Sequence, residues 1–349
     1  MKQLKISILV FLVLFCSCEK TLMEPNPETN ALAIFDEYST LVKEKYGMLA
    51  YKNVDINALT NALRKKINES TSKQELFKTL GTITESLRDG HSIIIEDKSD
   101  KNSMYTGFSP MEGYPKSIDI VNILLPHYIG KEINPGIKVL GRNLIRGRAI
   151  WGTIPSNNKI GYLRIPSWAV AISDDEIERI FKDLKNTKGL IFDMRLNSGG
   201  DPALATKFAS YFIDKPIYTG YERFKIGPGP NDFSNSEVTL KPSGSKNNYL
   251  KPVMVLTDRY VYSASTTFLY SLVPNKRIKT VGQKTGGGSG SVIDGYLANG
   301  WYWSLSVSEF IDAQGRHLDD GVDPDIPVKL NLEDTTKDEV IERAIIELQ

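Results

Sequence analysis

Residues 189–213, GLIFDMRLNSGGDPALATKFASYFI, decide how the rest of the chain reads. "GLIFDM" is a short, nearly unbroken apolar run, as expected of a strand buried on both faces. Gly199 and Gly200 break the run. Pro202 then opens a helix, with Leu204, Phe208, Tyr211 and Phe212 facing inward. The same order returns at 253–272, VMVLTDRYVYSASTTFLYSL, where an apolar strand becomes an apolar helix through the hydroxyls of Ser263, Ser265, Thr266 and Thr267. Upstream, "IGYLRI" reads as a strand. "SDDEIERIFKDL" reads as a helix with Ser173 and Glu176 as a capping box and Ile177, Ile180, Phe181 and Leu184 on one face. "RIKTVG" continues the series. Strand and helix in alternation from about Lys159 argue for an α/β layer with a largely parallel sheet.

Outside this layer the chain changes character. Ile34, Phe35, Tyr38, Leu41 and Val42 recur at helical spacing, as do Ile56, Leu59, Leu63 and Ile67. In "STSKQELFKTLGTITESL", Ser72 and Glu75 form a capping box ahead of Leu76, Leu80, Ile83 and Leu87. These segments predict a small helical N-terminal domain over 31–95, and 96–158 reads as a β-rich connecting region. "GYLANGWYWSLSV" predicts a hairpin turning at Asn299-Gly300, and a helix closes the chain within 331–349.

The first residues have another purpose. In MKQLKISILVFLVLFCSCEK, Lys2 and Lys5 precede an apolar stretch from Ile6 to Phe15 and then small residues. That is a secretory signal, too short for a comfortable membrane span. Both cysteines of the protein, Cys16 and Cys18, sit at its end. A lipoprotein signal is cut just before a cysteine that then carries the lipid, and Cys18, after Ser17, fits better than Cys16, after the bulky Phe15. The expectation is a signal peptide over 1–18, lipid on Cys18, a polar tether over 19–30, and a lipid-anchored protein of the cell envelope, periplasmic or on the outer membrane. The alternative is a plain secretory signal with incidental cysteines. With Cys18 lipidated, no cysteine is left for disulfides, thiol catalysis or zinc–thiolate binding. A net charge of +1, with no long run of one sign, gives no electrostatic reason to expect nucleic acid. No metal-ligand cluster is visible, and no cofactor is called for.

Two strand-to-helix junctions invite chemistry. Gly199 and Gly200 would turn the backbone sharply and leave N–H groups at a helix start, a ready anion site. Ser263 falls at the start of its helix, where open α/β sheets place their sites, and Ala264 would offer a second N–H. A nucleophile with two converging amides is what acyl transfer needs. A serine also needs a base. The chain has three histidines: His91 in "SLRDGHSIII", His127 in "LLPHYIG" and His317 in "QGRHLDDGVDPD". Each residue has a plainer role open to it: Ser263 as a helix cap, the glycines as a turn, the histidines as structural groups.

Taken together, the segments resemble the C-terminal processing, or tail-specific, serine peptidase family. "SLRDGH" resembles its L-x-D-G-H, "IGYLRIPSW" its strand I-G-Y-L-R-I-x-x-F, and "DMRLNSGG" its D-x-R-x-N-x-G-G. "VYSASTTF…RIKTVGQKTGGGSG" resembles its nucleophile block, and "GVDPDIPV" is a weaker match near the end. The likeness is dense from Lys159 to about Val328. It implies an α/β fold with the spiral core also seen in Clp proteases and crotonases, and a peptidase core over 159–330. It also implies Ser263 rather than Ser265 as nucleophile, and Gly199 or Gly200 with Ala264 as the oxyanion hole. Many members use a lysine base, but that position holds Gly288 here, and Lys284 matches a lysine that is not the base. The retained His91 is similar instead to the tricorn-core branch, which pairs serine with histidine and with an acid ahead of G-V-x-P-D. That acid is Asp319 or Asp320, with Asp319 favoured. Residues 97–158 show no PDZ signature, so the chain resembles a Bacteroidetes-type lipoprotein member without that domain. The implied partner is a peptide or protein substrate. The competing readings are a non-catalytic peptide- or small-ligand-binding protein and an esterase-like hydrolase on the same constellation.

Overall fold

The computed structural model describes residues 29–100, 102–109, 125–129, 136–141, 147–272, 274–331 and 333–349. The expected signal peptide, Cys18 and nearly all of the tether lie outside the described residues.

Three helices, α1 (Ala31–Lys45), α2 (Ile56–Arg64) and α3 (Lys73–Ser86), lead into two short strands, β1 (Ile93–Ile95) and β2 (Met104–Thr106). A short helix α4 (Leu125–Ile129) and strands β3 (Ile137–Gly141) and β4 (Gly147–Ile154) follow. Alternation then sets in: β5 (Asn157–Arg164), α5 (Asp174–Leu184), β6 (Gly189–Asp193) and α6 (Pro202–Ser210). A hairpin, β7 (Ile217–Lys225) and β8 (Phe233–Leu240), precedes β9 (Val253–Thr257), α7 (Ala264–Leu272) and β10 (Ile278–Gly282). The chain closes with β11 (Val292–Tyr296), β12 (Tyr302–Ser306), β13 (Ser308–Asp312), β14 (Ile326–Pro327) and α8 (Glu339–Glu347).

The central sheet has seven strands in the order β14-β10-β9-β6-β5-β4-β3. From β14 to β5 neighbours are parallel, and β4 and β3 add antiparallel strands at one edge. Residues 137–154, which read from sequence as a connecting region, are thus hydrogen-bonded into the same sheet as β5. All five residues of β6 and all five of β9 are buried, because helices cover both faces. On one face Trp168, Phe181, Phe192, Phe208 and Phe268 pack together, and on the other α8 sets Ile341 and Ala344 against Ile191 and Leu256. Helix starts follow local chemistry: Ser173 and Glu176 close the expected capping box, and Asp201 caps α6 one residue ahead of Pro202.

The helical layer is not an independent bundle. Ile34, Phe35, Tyr38, Leu80 and Ile83 share a core with Ile94, Trp301, Trp303 and Leu305, so α1 and α3 rest on a four-stranded antiparallel sheet, β11-β12-β1-β2. The β11–β12 hairpin turns at Gly300, whose φ of 86° is left-handed, as the Asn-Gly signal requires.

A buried ionic knot fastens the C-terminal helix. Asp193, at the end of β6, accepts from Arg195 Nε (3.0 Å) and Tyr162 Oη (2.9 Å). Arg195 also donates to Asp338 (2.7 Å), which caps α8. Burial by itself would raise the Asp193 pKa, but Arg195 and Arg164 outweigh it and hold it at about 2. Removing one partner leaves the others uncompensated. Arg195→Met should cost about 3–5 kcal/mol of stability, read as a lowered urea midpoint with an unchanged slope.

Candidate active site

The four hydroxyls at the start of α7 have different fates. Ser265 is fully buried; its Oγ donates to the Asn197 carbonyl (3.0 Å) and accepts from Trp168 Nε1 (3.0 Å). Thr266 donates to the Gly287 carbonyl (2.6 Å). Thr267 lines the open cleft beside the helix. Ser263 does not cap α7: its Oγ lies 2.9 Å from His91 Nε2. Its φ of 57° is a left-handed conformation uncommon for a residue with a side chain, and it lifts the hydroxyl out of the strand-to-helix turn. The Ser263 N–H donates to the Gly287 carbonyl (2.9 Å), which fastens the turn from the other side.

His91 stands in the turn between α3 and β1. Asp89, buried, builds that turn by accepting from the His91 N–H (2.9 Å) and the Ser92 hydroxyl (3.0 Å). Ser304 on β12 donates to the His91 carbonyl (2.7 Å). As a residue His91 is half-buried, and its Nδ1 is buried with no hydrogen-bond partner among the described residues. Burial lowers the His91 pKa, Asp89 opposing, so the ring is neutral at neutral pH and can accept a proton. The other histidines are elsewhere: His127 against the Thr335 carbonyl (3.1 Å), and His317 stacked on Tyr51 with Nδ1 3.3 Å from Glu309.

The two acidic candidates separate. Asp319 is buried; one oxygen lies 2.6 Å from Lys52 Nζ and the other accepts the Ser289 N–H (3.1 Å). It makes no hydrogen bond to His91: Nε2 of that ring faces Ser263, and Nδ1 has no partner among the described residues. Asp320 is exposed and pairs with Lys52 and the Tyr51 hydroxyl. The glycines separate too. The Gly199 N–H is held by Asn197 Oδ1 (3.0 Å), whereas those of Gly200 and Ala264 have no partner among the described residues. Gly200 and Ala264 line a cleft of about 880 Å³ with Ser263, Gly288 and Ser289. Gly199 must stay small: a Cβ there would come within 2.7 Å of the Ser263 Cβ. At Gly288, the position at which the family resemblance would put a lysine, φ is +70° and a Cβ would fall 2.3 Å from the Tyr262 ring. Tyr262 fills the room such a side chain needs, and its ring lies 5.0 Å from that of His91.

Residues 159–328 match the sequence profile of Peptidase family S41. A candidate peptidase from Parabacteroides merdae ATCC 43184 has the same fold over 92% of this chain and 97% of its own, at 30% identity and a TM-score of 0.80. The chain belongs to peptidase family S41. It is a serine-type peptidase, with the α/β core and small helical N-terminal region of that family. At the level of fold alone, this S41 peptidase is also similar to mature CPAF complexed with lactacystin, at 14% identity, 91% and 97% coverage and a TM-score of 0.64. The photosystem II D1 C-terminal processing protease aligns at 14% identity over 86% of this chain and 93% of its own, with a TM-score of 0.52.

Sequence reasoning missed Lys52, the function of Asp89 and the ring of Tyr262. Asp89 was visible inside the D-G-H turn and Tyr262 beside the serine; Lys52, in an ordinary polar loop, carried no signal. Because His91 is buried neutral, it should titrate below the ordinary histidine value. Above about pH 6.5 its contribution to stability is intact, and it fades as pH falls toward the lowered folded-state pKa. Imidazole NMR titration checks this; a pKa at or above that of an exposed histidine would contradict it.

Proposed function

We propose that this S41 peptidase is a lipid-anchored extracytoplasmic enzyme that hydrolyses peptide bonds with Ser263 as nucleophile and His91 as base. The observation that carries the reading is the 2.9 Å approach of His91 Nε2 to Ser263 Oγ, within the range for proton transfer. Ser263 Oγ attacks the scissile carbonyl carbon as its proton passes to Nε2. The tetrahedral oxyanion is held by the N–H groups of Gly200 and Ala264, which line the cleft and have no partner among the described residues. Collapse breaks the C–N bond, and the imidazolium returns the proton to the leaving amine. Water then repeats the sequence on the acyl-enzyme.

The acid acts at one remove. Asp89 holds the backbone of His91, and Asp319 holds the Ser289 N–H on the wall of the cleft. Neither donates to or accepts from Nδ1. The lipid anchor rests on the N-terminal sequence alone, with Cys18 as the modified residue.

Treating the full chain with a fluorophosphonate should label Ser263, as located by mass spectrometry. Ser263→Ala should abolish labelling, and His91→Ala should slow it by about 100-fold or more. A folded protein that takes no label would remove the hydrolytic reading and leave a binding role for the cleft. For the anchor, Cys18→Ala should move the protein from the membrane fraction to the soluble one on fractionation of expressing cells.

A further inference from the structure

Lys52 lies in the loop between α1 and α2, far in sequence from every motif, yet is only 4% exposed. Its Nζ reaches Asp319 at 2.6 Å and also contacts Asp320. A lysine in a surface loop of a helical layer ordinarily keeps its ammonium in water. Here the ammonium is buried behind the candidate active site. We infer that Lys52 is a positioning residue for the hydrolytic reaction: it pins the Asp319 carboxylate, and Asp319 holds the Gly287–Ser289 loop against Ser263. This rests on the proposed Ser263–His91 chemistry.

The chain of contacts is continuous. From Lys52 it passes to Asp319 Oδ2; Asp319 Oδ1 accepts the Ser289 N–H (3.1 Å) and the Asp319 carbonyl accepts the Gly288 N–H (2.9 Å). The Gly287 carbonyl then accepts from the Ser263 N–H (2.9 Å) and the Thr266 hydroxyl (2.6 Å). A second arm runs toward the base. The Arg88 guanidinium donates to the Lys52 carbonyl, and Arg88 precedes the Asp89-Gly90-His91 turn. One loop of the helical layer therefore grips both the serine side and the histidine side of the site.

Electrostatics explains why a cation is needed there. Asp319 is buried facing a second buried carboxylate, Asp89, with the Tyr46, Tyr51 and Tyr262 hydroxyls and Asp320 around it, and Lys52 is its partnering cation. Burial first, and Asp89 second, push the Asp319 pKa up to about 6, while Lys52 pulls it down. Burial works against the Lys52 ammonium, but Asp319 and Asp320 more than offset it, so lysine stays charged. Without that charge Asp319 would hold its proton into the neutral range. Its grip on the Ser289 N–H would pass from a charge-assisted hydrogen bond to an ordinary one.

The test uses the full chain with Lys52→Met, Lys52→Arg, Asp319→Asn and the Lys52→Met/Asp319→Asn double variant. Carboxyl NMR on 13C-aspartate protein, with Asp319→Asn to assign the resonance, follows the Asp319 titration. Fluorophosphonate labelling against pH follows Ser263. In Lys52→Met the Asp319 titration should move above its wild-type value, and the acid limb of the labelling profile should move with it. A limb displaced upward by about one pH unit would lower the rate on that limb by about tenfold at a fixed pH. Lys52→Arg should restore most of the rate. The double variant removes both charges together, so it tests the pair even where Lys52→Met by itself fails to fold, and it should label no more slowly than Asp319→Asn. An unmoved Asp319 titration overturns the inference whatever the labelling does. So does a moved titration with an unchanged labelling profile, or a double variant clearly slower than Asp319→Asn. If wild type takes no label while Asp319 titrates as expected, the hydrolytic reading has failed and the positioning role falls with it, but the ion pair itself stands.

Discussion

The place of the base depends on one short antiparallel pairing. β1 is three residues long and runs beside β12 with Ile93 opposite Ser304, Ile94 opposite Trp303 and Ile95 opposite Tyr302. His91 enters this strand from the Asp89 turn, with the Ser304 hydroxyl on its carbonyl. A slip of one residue would send Ile94 out of the core and carry the imidazole to the wrong side of the sheet. Burial of Ile94, Trp303 and Leu305 against the helical layer prevents it. The contact between His91 and Ser263, 172 positions apart, is thus set by hydrophobic burial in a sheet that contributes no reacting group.

The serine is placed by different means. It sits where a fully buried parallel strand ends, on a turn that accepts a left-handed residue because neighbouring backbone groups hold it. Gly287, Asn197 and Trp168 supply those holds through the backbone and through Ser265. The neighbouring junction at Gly199 and Gly200 has to come within contact of Ser263 and of Trp168, which leaves no volume for a Cβ. The hydroxyl cluster of the nucleophile turn and the paired glycines are two halves of one close approach.

Asp193, Arg195 and Asp338 tie the last helix to the exit of β6, and Lys52 ties the helical layer to the loop that carries Asp319. Buried pairs of this kind add little net stability over an apolar replacement, yet they penalise every arrangement that separates them. In this chain the Arg195–Asp338 and Lys52–Asp319 pairs join segments remote in sequence.

Local order was legible without the fold. The apolar runs at β6 and β9, the capping box of Ser173 and Glu176, the Asn299-Gly300 turn and the identity of the strand-to-helix junctions all follow from hydrogen bonding and side-chain spacing within a few residues. The resemblance of the motifs pointed to family and core for the same reason, since each motif is a local backbone device. What only tertiary structure decided is which groups meet. It gave Ser265 and Thr266 their buried partners, and it committed the Gly199 amide to Asn197 while that of Gly200 has no partner among the described residues. It turned Asp319 toward Lys52, and it drew a lysine with no sequence signature into the wall behind the site. Those outcomes depend on burial and on distances between segments far apart in the chain, which no local spacing encodes.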